Sequence, residues 1–148
     1  MEYLGNKNIW TENKIAFLCS QKCPADVVLK SYVWAKKQRE QGNCIICGNH
    51  SQIEKDVFEI LLKGRQPLIL VLARGMKTRW KPQIEKAVNE NRLLVISPFE
   101  KKANRIIRKI AEKRNKKIIE ISNKIIIGYK TKNGQLDKLL KEKNYELL

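Results

Sequence analysis

An α/β domain, doubly wound around a mainly parallel sheet, is what the 148-residue sequence predicts. Three observations point to it. Five short apolar runs alternate with longer stretches whose apolar residues recur at helical spacing. The runs are continuously apolar rather than alternating, as strands buried on both faces are. No repeat, low-complexity linker or shift in composition divides the chain, so one domain holds it.

The elements follow in order. Residues 1–13 read as an N-terminal arm packed on the surface, and 14–148 as the domain. KIAFLCS (14–20) is the first apolar run. A helix starts at Pro24, whose missing N–H costs nothing in a first turn. Val27, Val28, Tyr32 and Ala35 give it a face, and QGN (41–43) stops it. CIIC (44–47) is the second strand. Ile53, Val57, Ile60 and Leu61 mark the second helix, closed by Gly64. PLILVLA (67–73) is the third strand, and a helix runs from Pro82 to near Asn91. RLLVIS (92–97) is the fourth strand, followed by a long basic helix over about 101–121. KIIIGY (124–129) is the fifth, and a last helix starts near Gly134. This is a Rossmann-like, mainly parallel sheet of five or six strands with helices on both faces. Ligands of such sheets bind at the carboxyl ends of the strands, near the reversal of strand order. That edge gathers 19–23, 47–51, 74–80, 97–100 and 129–134.

Charge narrows the function. Lys and Arg number 31 against 15 Asp and Glu, a net charge of +16. Solubility needs far less, and such an excess points to a polyanion. No apolar run approaches the ~20 residues of a spanning helix. MEYLGNKNIWTENK lacks the apolar core of a signal peptide. The expected place is the cytoplasm, with no membrane partner and with cysteines kept as thiols.

CIICGNHSQIEKD (44–56) holds a CxxC pair and the only histidine. Ser51-Gln-Ile-Glu54 fits a capping box, and Gly48 suits a sharp turn. The stretch therefore reads as strand, glycine turn and capped helix. Free N–H groups at a helix start attract phosphate, which makes Gly48, Asn49, His50 and Ser51 candidate phosphate contacts. Zinc is the competing reading, because Cys19, Cys23, Cys44 and Cys47 form CxxxC and CxxC. Yet Cys19 and Cys44 sit inside apolar runs, where cysteine behaves as a small hydrophobe. A metal site is not expected. Nor is a redox pair, which would follow a strand at a helix start.

Two basic constellations stand out. KKANRIIRKIAEKRNKK (101–117) has nine Lys/Arg and one Glu, half the net charge. Ile106, Ile107 and Ile110 anchor it, and it offers little acid for i,i+4 pairing, so a polyanion would relieve it. ARGMKTRWK (73–81) surrounds Trp80 with Arg74, Lys77, Arg79 and Lys81. Guanidinium and ammonium groups bind phosphate and an indole stacks on an unpaired base, or Trp80 folds onto the core. No GxGxxG follows a strand and no GxxxxGK[ST] occurs, so neither a dinucleotide nor an NTPase is expected. No nucleophile–base set or carboxylate pair appears. No cofactor and no catalysis are expected.

CGNHS (47–51), RLLVISPF (92–99) and KRNKKIIEISNKIIIGYKTKNGQLDKL (113–139) resemble, in order and spacing, the Rossmann-like core of the DNA-processing protein A (DprA/Smf) family. The resemblance spans about 14–143. Its most specific parts are Arg114-Asn115 ahead of Ile118, Ile119 and Ser122, and the Asn133-Gly134 turn. It implies single-stranded DNA, or another nucleic acid, in a basic pocket at the strand ends. Ser20, Gly48, Ser51, Arg114, Asn115 and Gly134 would line that pocket, with Lys22 standing near the first corner. It also implies a binding protein rather than an enzyme, with a RecA-type recombinase and a second copy of the chain as candidate partners. The competing class is a nucleotide-binding or nucleotide-cleaving, phosphoribohydrolase-like protein, but its PGGxGTxxE motif is absent. A nonspecific basic scaffold is the third reading.

Overall fold

The computed structural model describes residues 1–99 and 108–148. The chain opens with strand β1 (Glu2–Gly5) and a 3₁₀ turn (Lys7–Thr11). Strands and helices then alternate: β2 (Lys14–Leu18), α1 (Ala25–Gln41), β3 (Cys44–Cys47), α2 (Gln52–Leu62), β4 (Leu68–Val71) and α3 (Pro82–Asn89). The rest is β5 (Leu93–Ser97), α4 (Arg108–Ile121), β6 (Lys124–Ile127), α5 (Gln135–Leu139) and β7 (Glu146–Leu147). All five apolar runs are strands. The long basic helix is described from Arg108 onward, and 101–107 lie outside the described residues. Pro24 caps α1 rather than entering its first turn.

The sheet order is β1-β5-β4-β3-β2-β6-β7. Every pairing from β5 to β7 is parallel, and β1 lies antiparallel to β5. Seven strands replace the expected five or six. The extra ones lie at the two edges, where burial is lower and the apolar signal fades. β1 alternates half-buried Glu2 and Leu4 with exposed Tyr3 and Gly5. β7 has two exposed residues, too few to show a pattern. Gly5 is fixed by geometry: its φ is +96°, and a Cβ there would stand 2.2 Å from the Leu93 carbonyl oxygen. The 1–13 arm thus contributes an edge strand.

The pleat explains the unbroken apolar runs. Phe17, Ile45, Cys47, Leu68, Leu70 and Val95 face α1, α2 and α3. Their neighbours Ala16, Leu18, Ile46, Ile69, Val71 and Leu94 face the layer of α4 and α5. Both faces are covered, so each strand buries successive residues, and each fully buried Ile or Leu contributes about 1.5–3 kcal/mol. Two cations serve the fold. Arg92 donates to the carbonyls of Leu61 and Leu62, each at 3.0 Å, at the end of α2. Buried Lys14 donates to the carbonyls of Trp10 (2.7 Å) and Glu12 (3.0 Å). Among the described residues no helix is long and apolar enough to cross a membrane.

Candidate nucleic-acid interface

From β2 to β5 the strands step one way across the sheet, and then β6 returns to pair with the other side of β2. The reversal therefore lies between β2 and β6, where a crevice must open between the loops that leave their carboxyl ends. A cavity of about 290 Å³ occupies that place. Ser20, Lys22, His50, Asn115 and Gly134 border it, so the topology brings together residues from four separate segments. Gln21 and Thr131 also border it, both within the 19–23 and 129–134 segments expected at this edge, though no motif singles either out as a contact.

The loops are fastened to one another. The Ser20 N–H donates to the Tyr129 carbonyl at 2.8 Å, and the Thr131 N–H donates to Ser20 Oγ at 3.1 Å. Gln21 Nε2 and His50 Nε2 lie 3.1 Å apart across the mouth. Asp137 accepts from the Asn133 N–H at 2.9 Å and pairs with Lys130, which holds the turn before α5. Lys22 is exposed at the mouth, and Gly134 caps α5.

Glu54 forms the floor. It is 1% exposed, and its carboxylate accepts from the Cys19 N–H and the His50 N–H, both at 3.0 Å. Its own N–H donates to Ser51 Oγ at 3.2 Å, so the expected cap is present. The glutamate also reaches across to β2, ties two strand ends together and leaves Ser51 fully buried. Burial pushes the Glu54 carboxyl up, while Arg114 and the backbone donors pull it down. Ser51 is therefore a structural cap, not an exposed phosphate ligand.

Gly48 and Arg114 also differ from expectation. The left-handed residue of the turn is Asn49, at φ +53°, not Gly48. Gly48 is needed for space, since a Cβ there would meet Arg114 Nε at 2.6 Å. Arg114 is 1% exposed. Its Nη1 donates to the Gly48 carbonyl at 2.8 Å, and its Nε to Asn115 Oδ1 at 3.0 Å. Burial lowers its pKa and Glu54 raises it, so the two ions offset one another under the edge. Arg114 is a pillar between α4 and β3 rather than an open surface clamp.

The 74–81 loop stands beside this pillar at the end of β4. Trp80 is half-buried and packs on the core, and Lys77 Nζ lies 5.5 Å from its ring centre. Arg79 is exposed and borders neither this loop's cavity nor the crevice. The described part of the basic stretch exposes Lys109, Lys113 and Lys116. It finds more pairing than the composition suggests, with Lys116 and Lys117 each 3.9 Å from Glu112 and Glu120 respectively. These exposed pairs are worth about 0.3–0.5 kcal/mol each, leaving most of the repulsion in place.

The cysteines are free thiols. Cys44 and Cys47 face opposite sides of the sheet, so the CxxC spacing cannot chelate from this strand. Among the described residues no three His, Cys, Asp or Glu are placed to hold a metal. Burial pushes the Cys19 and Cys44 thiols up to about 12, and Cys47 higher.

No family model matches the chain by sequence, and no curated protein does. Its fold is similar to that of DNA processing protein A from Helicobacter pylori, in a study of that protein's single-stranded DNA binding mode. The TM-score is 0.73 at 17% identity, over 98% of this chain and 69% of that one. It is similar as well to DNA processing protein A from Streptococcus pneumoniae, with TM-score 0.75 and 17% identity. That match covers 98% of this chain and 53% of the other, so this chain spans about half of that protein's length. The Moco carrier protein of Chlamydomonas rheinhardtii is more distant, with TM-score 0.55 and 13% identity over 93% and 76%. The shared feature is the fold, a Rossmann-like core of the DNA processing protein A type.

Proposed function

We propose that this protein binds single-stranded DNA along the carboxyl edge of its sheet and does not turn it over. The observation that carries the reading is the crevice at the strand reversal, where Ser20, Lys22, His50, Asn115 and Gly134 meet. The side chains of Ser20, Lys22 and His50 at its border suit a phosphate backbone, and the net charge of +16 supplies the long-range attraction. The fold shared with DNA processing protein A supports the same ligand. Loading of a RecA-type recombinase and pairing with a second copy belong to this reading as finer proposals. The cleaving alternative would need Glu54 as its acid or base. Both strand-end N–H bonds to its carboxylate favour a structural role instead.

The experiment is fluorescence polarisation of labelled single-stranded DNA, single-stranded RNA and duplex DNA over a salt series. Each neutralised phosphate should add about −0.7 to the slope of log affinity on log salt for a single strand. Lys22→Ala should weaken binding and flatten the slope, whereas the exposed Lys141→Ala and Lys143→Ala should not. Equal losses at all three lysines would mean diffuse surface attraction and would overturn the crevice. Release of free base from nucleoside monophosphates, abolished in Glu54→Gln, would move the protein into the enzyme class.

A further inference from the structure

A second cavity, of about 260 Å³, lies under the 74–81 loop, between the ends of β3 and β4. Its floor is apolar, made by Phe58, Leu70, Leu72 and Ile84, and Trp80 walls one side. Its rim is cationic. Lys55, Arg74, Lys77 and Lys81 surround it, Arg114 borders it from below, and Glu59 is the one acid among the lining residues. Six buried side-chain polar atoms lack a hydrogen-bond partner among the described residues, and three of them belong here: Asn49 Oδ1, Arg74 Nε and Arg114 Nη2. Buried polar groups are ordinarily satisfied, so three unpartnered atoms on residues that line one cavity leave hydrogen-bonding capacity beside it for a polar ligand. Burial lowers the Lys77 pKa, and the like charges of Arg74 and Lys81 lower it further, which an anion would reverse.

We infer that this cavity is a separate site for one nucleoside phosphate, with the base against Trp80 and the apolar floor and the phosphate among the rim cations. An apolar slot calls for a flat ring, and the cation cluster calls for an anion on the same molecule. The size sets the limit. Ligand cavities usually run from about 300 to 1,000 Å³, so this one suits a single nucleotide unit and not a dinucleotide. The unit is free, or belongs to a strand, and the inference is independent of the crevice as a strand-binding site.

The chain has three tryptophans, so Trp10→Phe with Trp34→Phe leaves Trp80 as the sole reporter. Its emission is followed during titration with adenosine monophosphate, adenosine, inorganic phosphate and an oligothymidylate. Adenosine monophosphate should give a saturable change, stronger than adenosine or phosphate alone. Arg74→Gln should weaken it by roughly tenfold, the loss of about one charge-assisted hydrogen bond. Leu72→Phe, which fills the floor, should abolish it, and the distant, exposed Lys141→Ala should leave it unchanged. A change with the oligothymidylate alone, lost in Arg74→Gln, assigns the unit to a strand. Equal responses to phosphate and to adenosine monophosphate would overturn the nucleoside assignment. A silent Trp80 beside normal polarisation of labelled DNA would overturn this site and spare the crevice. A responding Trp80 with no DNA binding would do the reverse.

Discussion

Gly48 and Arg114 are fitted to one another. The guanidinium donates to the Gly48 carbonyl, and its Nε and Cδ fill the space where any side chain at position 48 would stand. Gly48→Ala should therefore push the arginine out of place and loosen the contact between α4 and β3. Overpacking of this kind costs about 1–3 kcal/mol. Urea denaturation followed by circular dichroism should show the loss. An unchanged midpoint would mean that Arg114 relocates freely and is no pillar.

Removing Glu54 should cost more than removing an exposed acid. Glu54→Ala leaves the Cys19 and His50 N–H groups without their acceptor and strips Arg114 of its opposing charge. Each buried donor left without its acceptor costs about 1–3 kcal/mol. Glu54→Gln keeps one acceptor oxygen and should lose less. Asp26→Ala, whose ion pair with Lys30 is exposed, should cost under about 1 kcal/mol. The ranking is read from thermal midpoints of the three variants.

Strand binding should strengthen on acidification through His50. In the free protein its pKa lies below the ordinary 6.5, because burial and then the charges of Arg114 and Lys55 disfavour the imidazolium. The free protein accordingly loses some stability as pH falls from 6.5 toward that lowered value. A phosphate at the crevice mouth would raise the pKa, so the complex binds more protons than the free protein. Affinity then rises as pH falls from the pKa of the complex to that of the free protein, by at most about tenfold per pH unit. His50→Gln should flatten the profile on the acid side of neutrality, as polarisation titrations would show.

Thiol reactivity should separate one cysteine from three. Cys23 is half-exposed, whereas Cys19, Cys44 and Cys47 are buried. A thiol reagent such as DTNB should modify Cys23 quickly in the native protein. The other three should react only as the chain opens, and burial keeps their thiols protonated as well. Fast reaction of all four would contradict the packing of β2 and β3.

The core strands are legible in the sequence because both faces of the sheet are covered, which turns each strand into an unbroken apolar word. The capped helix after β3 is legible through Ser51 and Glu54, whose spacing has a local meaning. The reach of Glu54 to the Cys19 N–H is not, because it depends on β2 lying beside β3 and no neighbouring residue announces it. Arg114 shows the same limit more sharply. An arginine in a run of lysines reads as surface, and only the packing of α4 over the Gly48 turn turns it inward. Gly48 reads as a conformational glycine, yet the left-handed residue is Asn49, and the reason for glycine is a partner 66 positions away. β1 and β7 escape the sequence for the opposite reason, since edge strands bury too little to write a pattern.

Those two edge strands have a consequence for self-association into fibres. A sheet ending on β5 and β6 would show rows of unpaired amides to any passing strand, an invitation to cross-β growth. β1 pairs with β5 over four residues, and the left-handed Gly5 then turns the chain away from the ladder. On the other side β7 pairs with Ile126 and Ile127, flanked by the Lys124–Glu146 ion pair at 3.5 Å. The most apolar strands of the molecule are thereby kept inside the sheet. The segments that shield them are short, polar and poorly patterned, and it is damage to them, rather than to the core, that would expose the chain to aggregation.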